Sequence, residues 1–160
     1  MTTSALDDLY REILLDHYRS PRNRGRLDAP SASADGANPL CGDQITLDVE
    51  LDDDGNVVNV AFEGSGCSIS QASSSMMTGY VKGRPASEAL AGVEAFQRMM
   101  VDGEPLDEEF GDIEALAGVR KFPVRVKCAS LAWKTLEQAL TTSDGQADPI
   151  TTDERSIEND

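Results

Sequence analysis

Ile45-Thr46-Leu47-Asp48-Val49-Glu50-Leu51, then Asp52-Asp53-Asp54-Gly55-Asn56, then Val57-Val58-Asn59-Val60-Ala61-Phe62 is the stretch that decides the fold. Ile45, Leu47, Val49 and Leu51 alternate with Thr46, Asp48 and Glu50, the period of two that a half-buried strand requires. Val58, Val60 and Phe62 repeat the alternation after the Asp52 to Asn56 turn, so the two runs are predicted to form an antiparallel hairpin with one buried face. The three aspartates resemble the start of a calcium loop, but the remaining EF-hand ligand pattern is missing and a solvated turn is the better reading.

Outward from the hairpin the pattern becomes helical. Upstream, Leu6, Leu9, Tyr10, Ile13, Leu14 and Tyr18 predict an amphipathic helix over Ser4 to Arg19 that stops at Ser20-Pro21. Pro21 to Leu40 is rich in Pro, Gly, Ser and Asn and reads as an irregular loop with at most one short strand. Downstream, helices are predicted over Ser68 to Val81 and Ser87 to Val101, with Met76, Met77, Met99 and Met100 as core filler. Asp102 to Arg120 is acidic and interrupted by glycine and proline, with one short helical turn around Asp112 to Ala117. A last helix beginning near Val126 or Cys128 carries Leu131, Trp133, Leu136, Ala139 and Leu140, with Trp133 as its anchor. The expected fold class is α+β, a small antiparallel sheet packed against helices on one face. It forms a single domain over residues 1–140, followed by an acidic, disordered tail at 141–160.

Formal net charge is −15, from 29 acids against 14 bases, and this field repels phosphate backbones. Nucleic acid is therefore excluded as a partner despite the Arg22, Arg24, Arg26 cluster. No stretch approaches the roughly 18 consecutive apolar residues of a membrane span, and the first ten residues carry Asp7 and Asp8 and no apolar signal core. The expected location is the cytoplasm. Three cysteines, an odd number, argue for reduced working thiols over a disulfide framework.

Each cysteine has a distinctive setting. Cys41 lies in Asn38-Pro39-Leu40-Cys41-Gly42-Asp43, Cys67 ends Gly64-Ser65-Gly66 before a helical pattern, and Cys128 follows Arg125-Val126-Lys127. With Asp43 they offer three sulfurs and one oxygen, a tetrahedral shell for zinc. The spacings match no local C-x-x-C pattern, so small buried cysteines remain the alternative. The hairpin itself favours convergence. Cys41 and Asp43 precede its first strand and Cys67 follows its second, so antiparallel pairing brings them to one edge. Cys67 also faces the start of a predicted helix, where the dipole favours a thiolate. His17, the sole histidine, reads as a structural hydrogen-bonding group in preference to a ligand, and with no evident orienting acid it makes a poor base for a cysteine hydrolase.

Four segments in order, Asp16-His17-Tyr18-Arg19-Ser20-Pro21-Arg22-Asn23-Arg24-Gly25, Asn38-Pro39-Leu40-Cys41-Gly42-Asp43, Gly64-Ser65-Gly66-Cys67-Ser68-Ile69-Ser70 and Arg125-Val126-Lys127-Cys128-Ala129, resemble the signatures of the IscU/NifU-like proteins of iron–sulfur cluster assembly. The resemblance runs from about Leu9 to Leu140. Within that family the chain looks like the SufU type, because scaffold members carry histidine where Lys127 stands and lack most of the segment from about Ala95 to Lys121. The resemblance implies a zinc-dependent sulfurtransferase that accepts persulfide sulfur from a SufS-type cysteine desulfurase and passes it to downstream cluster-assembly machinery. It implies Cys41, Asp43, Cys67 and Cys128 as zinc ligands and Cys41 as the acceptor. It also implies that a histidine of the desulfurase takes the place of the Cys41 sulfur on the metal. The alternative is a scaffold on which an iron–sulfur cluster is assembled transiently. Arg125 and Lys127 are expected to offset the negative shell, and together with the Arg22 to Arg26 loop to border the docking edge.

Overall fold

The computed structural model describes residues 2–141 together with Ile150 and Thr151. Its elements are α1 (Thr2–Arg19), β1 (Ala32–Asn38), β2 (Asp43–Leu51), β3 (Val57–Ser65), α2 (Ser68–Val81), α3 (Ala86–Asp102), a 3-10 helical segment (Glu108–Lys121), α4 (Pro123–Thr141) and β4 (Ile150–Thr151). The hairpin forms between β2 and β3, with Leu47 opposite Phe62 and Val49 opposite Val60. On the other side β1 pairs antiparallel with β2, placing Ala34 beside Leu47 and Asn38 beside Asp43. Helices α2 and α4 cover one face, which is the α+β arrangement expected. Leu47, Val49, Phe62, Met77, Phe96, Trp133 and Leu136 form its centre, all fully buried. Burial of one such side chain is worth roughly 1.5–3 kcal/mol.

Several expectations require correction. The register shifts between Glu50 and Leu51, so Val57 is buried and Val58 is 42% exposed; the simple alternation through Val58 is broken by this bulge. The glycine- and serine-rich loop contains a seven-residue strand, β1, built from small residues because α4 lies directly on it. A Cβ at Gly36 would collide with Thr135 and press on Leu131 and Ile45. The short turn expected around Asp112 is a 14-residue 3-10 segment kinked at Gly111. Helix α4 begins at Pro123, whose fixed φ suits the first helical position, and not near Val126 or Cys128. The expected tail lies outside the described residues, except for Thr141, which ends α4, and for Ile150–Thr151. Those two pair in parallel with Gly36 and Ala37, so the sheet order is β3-β2-β1-β4 and one short pairing is not antiparallel.

On the face of β2 turned away from the helices, the loop before β1 closes over Asp48 while Gln44 stays exposed. There Asp48 accepts hydrogen bonds from Arg26, the Leu27 N–H and Ser33. Among the described residues no helix is long and apolar enough to cross a membrane.

Candidate metal centre

The site grows from the turn between β1 and β2. Asn38 and Asp43 are paired in register and leave Pro39 to Gly42 as the connection. Pro39 occupies the second turn position, which its ring prefers, and the Cys41 N–H donates to the Asn38 carbonyl at 3.2 Å. Cys41 therefore stands half-buried at the tip while Asp43, one strand position inside, is only 1% exposed. At the neighbouring end of β3 the backbone approaches Asp43 closely. Gly66 has a φ of 152°, and a Cβ there would run into the Asp43 carboxylate and the Ser70 hydroxyl. This approach lets the Cys67 N–H donate to Asp43 Oδ1 at 2.9 Å.

Cys128 comes from the second turn of α4. It is fully buried, where the sequence suggested the head of a helix, and its sulfur lies 3.2 Å from Cys41 Sγ. One donor atom each from Cys41, Asp43 and Cys128 lie within 4.8 Å of one another. Cys67 borders this trio, with its sulfur 3.9 Å from Asp43 Oδ2. Tetrahedral zinc with sulfur at about 2.3 Å and oxygen at about 2.1 Å sets neighbouring donors roughly 3.6–3.8 Å apart. The observed separations bracket that range, and a set of soft thiolates with one carboxylate suits zinc and iron–sulfur chemistry alike. The residues present thus fit a metal.

Electrostatics divide the sulfurs. The Cys67 thiol is lowered to about 6, first by hydrogen bonding with Cys128 and, against the cost of burial, by the Ser70 and Ile69 amides at the start of α2. The same hydrogen bond, followed by burial, pushes Cys128 upward. Arg125 is raised, first by the charge of Cys67.

His17 stands apart from the sulfurs. Its Nδ1 is 2.8 Å from Ser75 Oγ and its Nε2 is 3.4 Å from Asp112 Oδ2, which supports the hydrogen-bonding reading. Asp112 is the orienting acid that sequence reasoning missed; 95 residues of separation leave no local signal. Ser75 is fully buried, so its hydroxyl is closed to a substrate, although His17 and Asp112 line an open pocket. The loop arginines are engaged within the chain: Arg22 with Asp16 at 2.7 Å, Arg24 with the Gly64 carbonyl at 3.3 Å and Arg26 with Asp48 at 2.7 Å. Asn38, quoted in the sequence only as part of a motif, reaches into the site and donates toward Asp43 and Cys128. Its place before a proline turn leading to Cys41 was the available signal.

The NifU-like N terminal domain model matches residues 9–146. The chain is 49% identical over 142 residues to the zinc-dependent sulfurtransferase SufU of Bacillus subtilis, covering 88% of this chain and 95% of that protein. It is 45% identical over 144 residues to the iron–sulfur cluster assembly scaffold protein IscU of Streptococcus pyogenes, covering 89% of each. Among solved structures, FiSufU of Fervidobacterium islandicum, described as an iron–sulfur cluster assembly scaffold protein for the SUF system, superposes with a TM-score of 0.76 at 38% identity, covering 81% of this chain and 95% of that one. The four ordered motifs, the sheet with its covering helices and these likenesses agree: the chain belongs to the NifU-like N-terminal domain family, the family of the SufU and IscU proteins.

Proposed function

We propose that this chain is a zinc-dependent sulfur acceptor that takes persulfide sulfur from a SufS-type cysteine desulfurase in the cytoplasm and passes it on for iron–sulfur cluster assembly. Cys41, Asp43, Cys67 and Cys128 are the proposed zinc ligands and Cys41 the acceptor. The observation that carries the reading is the unequal placing of two sulfurs 3.2 Å apart: Cys41 is half-exposed at a hairpin tip, Cys128 is sealed inside α4. Cys128 is closed to a partner's cysteine, and of the two half-buried thiols, Cys41 and Cys67, the family resemblance gives the acceptor role to Cys41.

Bound zinc would hold the four donors as a closed shell and keep the thiols deprotonated. The transfer itself is thiolate exchange. The Cys41 thiolate attacks the terminal sulfur of the partner's persulfide, a new S–S bond forms on Cys41, and the old S–S bond breaks with its electron pair leaving on the partner's thiolate. No oxidant or reductant is consumed. By the family resemblance, scaffold members carry histidine at the position of Lys127, which favours this reading over cluster assembly, and the likeness to a scaffold IscU keeps the second reading in play.

Labelled sulfur from cysteine and desulfurase, followed by mass spectrometry of the Cys41 peptide, tests the proposal. Wild type is expected to carry label on Cys41 and Cys41→Ala none at any zinc concentration. Stable label on Cys67 or Cys128 with Cys41 unmodified would overturn the assignment. A stable cluster after anaerobic reconstitution, transferred to restore an apo-enzyme, would favour the scaffold.

A further inference from the structure

Asn38 is an unusual residue to find wholly buried. It is 0% exposed, and among the described residues its Oδ1 has no hydrogen-bond partner. An orphaned buried carbonyl is costly, and an apolar side chain would avoid that cost. The other end of the amide supplies the reason. Nδ2 lies 3.4 Å from Asp43 Oδ2 and 3.5 Å from Cys128 Sγ, while the backbone carbonyl of the same residue accepts the Cys41 N–H at 3.2 Å. The amide orientation follows from charge. Turned over, it would set an acceptor oxygen against a carboxylate and a sulfur.

We infer that Asn38 is a positioning residue of the metal centre: its side-chain amide pins Asp43 and Cys128 as the permanent donors, while its backbone alone restrains Cys41 and leaves that sulfur able to exchange. The inference rests on the proposed ligand set but not on sulfur transfer. Hydrogen bonds to ligand atoms fix their orientation and moderate their charge, and loss of such a partner typically weakens metal binding by about ten- to a hundredfold. The asymmetry also matches burial. Both side-chain partners of the amide are sealed from solvent, and Cys41 is not.

The test is zinc competition against a chromophoric chelator on the full chain, with alkylation mapping of the zinc-loaded protein by mass spectrometry. Asn38→Ala is expected to weaken zinc binding about ten- to a hundredfold and to raise alkylation of Cys128 relative to Cys41. Asn38→Asp, which preserves shape, is expected to weaken it at least as much, because it replaces a donor with an anion beside Asp43 and Cys128. A merely structural role would lower the melting temperature of both variants without that order in zinc affinity. Zinc affinity within threefold of wild type in both would overturn the inference. Should Asn38→Ala not fold, the isosteric Asn38→Asp carries the test. Neither readout uses the desulfurase, so failure of sulfur labelling at Cys41 would leave this result standing.

Discussion

Strand β2 carries two buried carboxylates, Asp43 and Asp48, and the protein treats them in opposite ways. Asp48 is enclosed by Arg26 at 2.7 and 3.2 Å, the Leu27 N–H at 3.0 Å and Ser33 at 2.7 Å. Burial pushes its carboxyl up, but these donors outweigh burial and hold it below the usual carboxylate range. Asp43 is as deeply buried, yet its hydrogen-bond donors are the Cys67 N–H at 2.9 Å and, more distant, the Asn38 amide at 3.4 Å and the Cys67 thiol at 3.9 Å. One carboxylate closes a structural joint between loop and sheet; the other keeps lone pairs for something further. Burial alone does not mark a site. The chemistry of the neighbours does.

The largest effect that would sharpen this contrast is on Asp48. Asp48→Ala leaves Arg26 and Ser33 without their acceptor and is expected to cost about 3 kcal/mol in urea unfolding, the lower end for a broken buried pair because Arg26 is half-exposed. Its zinc affinity should match wild type. Asp43→Ala should do the reverse: zinc binding falls about a hundredfold and returns in excess zinc by mass action, while the chelated protein unfolds within about 1 kcal/mol of wild type. Equal destabilisation of the metal-free protein by both substitutions would erase the distinction.

The smallest effect concerns His17, a third buried polar group with no sulfur near it in its contacts. His17→Gln should retain zinc near one per chain and lose about 1 kcal/mol of stability. Burial, then the charge of Arg22, lowers the His17 pKa against the opposing pull of Asp112. The unfolded chain then protonates first. Wild-type stability is expected to be complete above about pH 6.5 and to decline as pH falls through the lowered folded value, whereas the variant's profile is flatter there. Loss of metal in His17→Gln would move this residue into the site and overturn its reading.

The hairpin and the four longer helices were legible because Leu47, Val49, Phe62, Met77 and Leu136 obey the periods of their elements. Strand β1 was allowed for only as one short strand somewhere in a loop, since Ala32, Ala34 and Gly36 carry no strand-forming side chains; they are small because a helix lies on them, a tertiary demand that leaves no local periodicity. The start of α4 was misplaced because Pro123 reads as a breaker until its first-turn position is known. Hairpin geometry accounted for Cys41 and Asp43 lying beside Cys67, whereas Cys128 was tied to them only by the order of the motifs. Asn38 and Asp112 escaped notice because their partners lie on other elements: Cys128 is 90 residues from Asn38, and His17 is 95 from Asp112.

The stack in the core has a practical use. Trp133 lies parallel to Phe96 with ring centroids 4.6 Å apart, and its Nε1–H donates to Ser73 Oγ, which in turn donates to the Ala129 carbonyl. It is the chain's one tryptophan, so its emission is a single-origin optical signal from a dry, hydrogen-bonded indole. It sits five residues beyond Cys128 on the same helix, held to α2 through Ser73 and to α3 through Phe96. Intrinsic fluorescence in this molecule is therefore a gauge of how firmly the helical layer stays assembled, separable from any absorbance signal arising at the sulfurs.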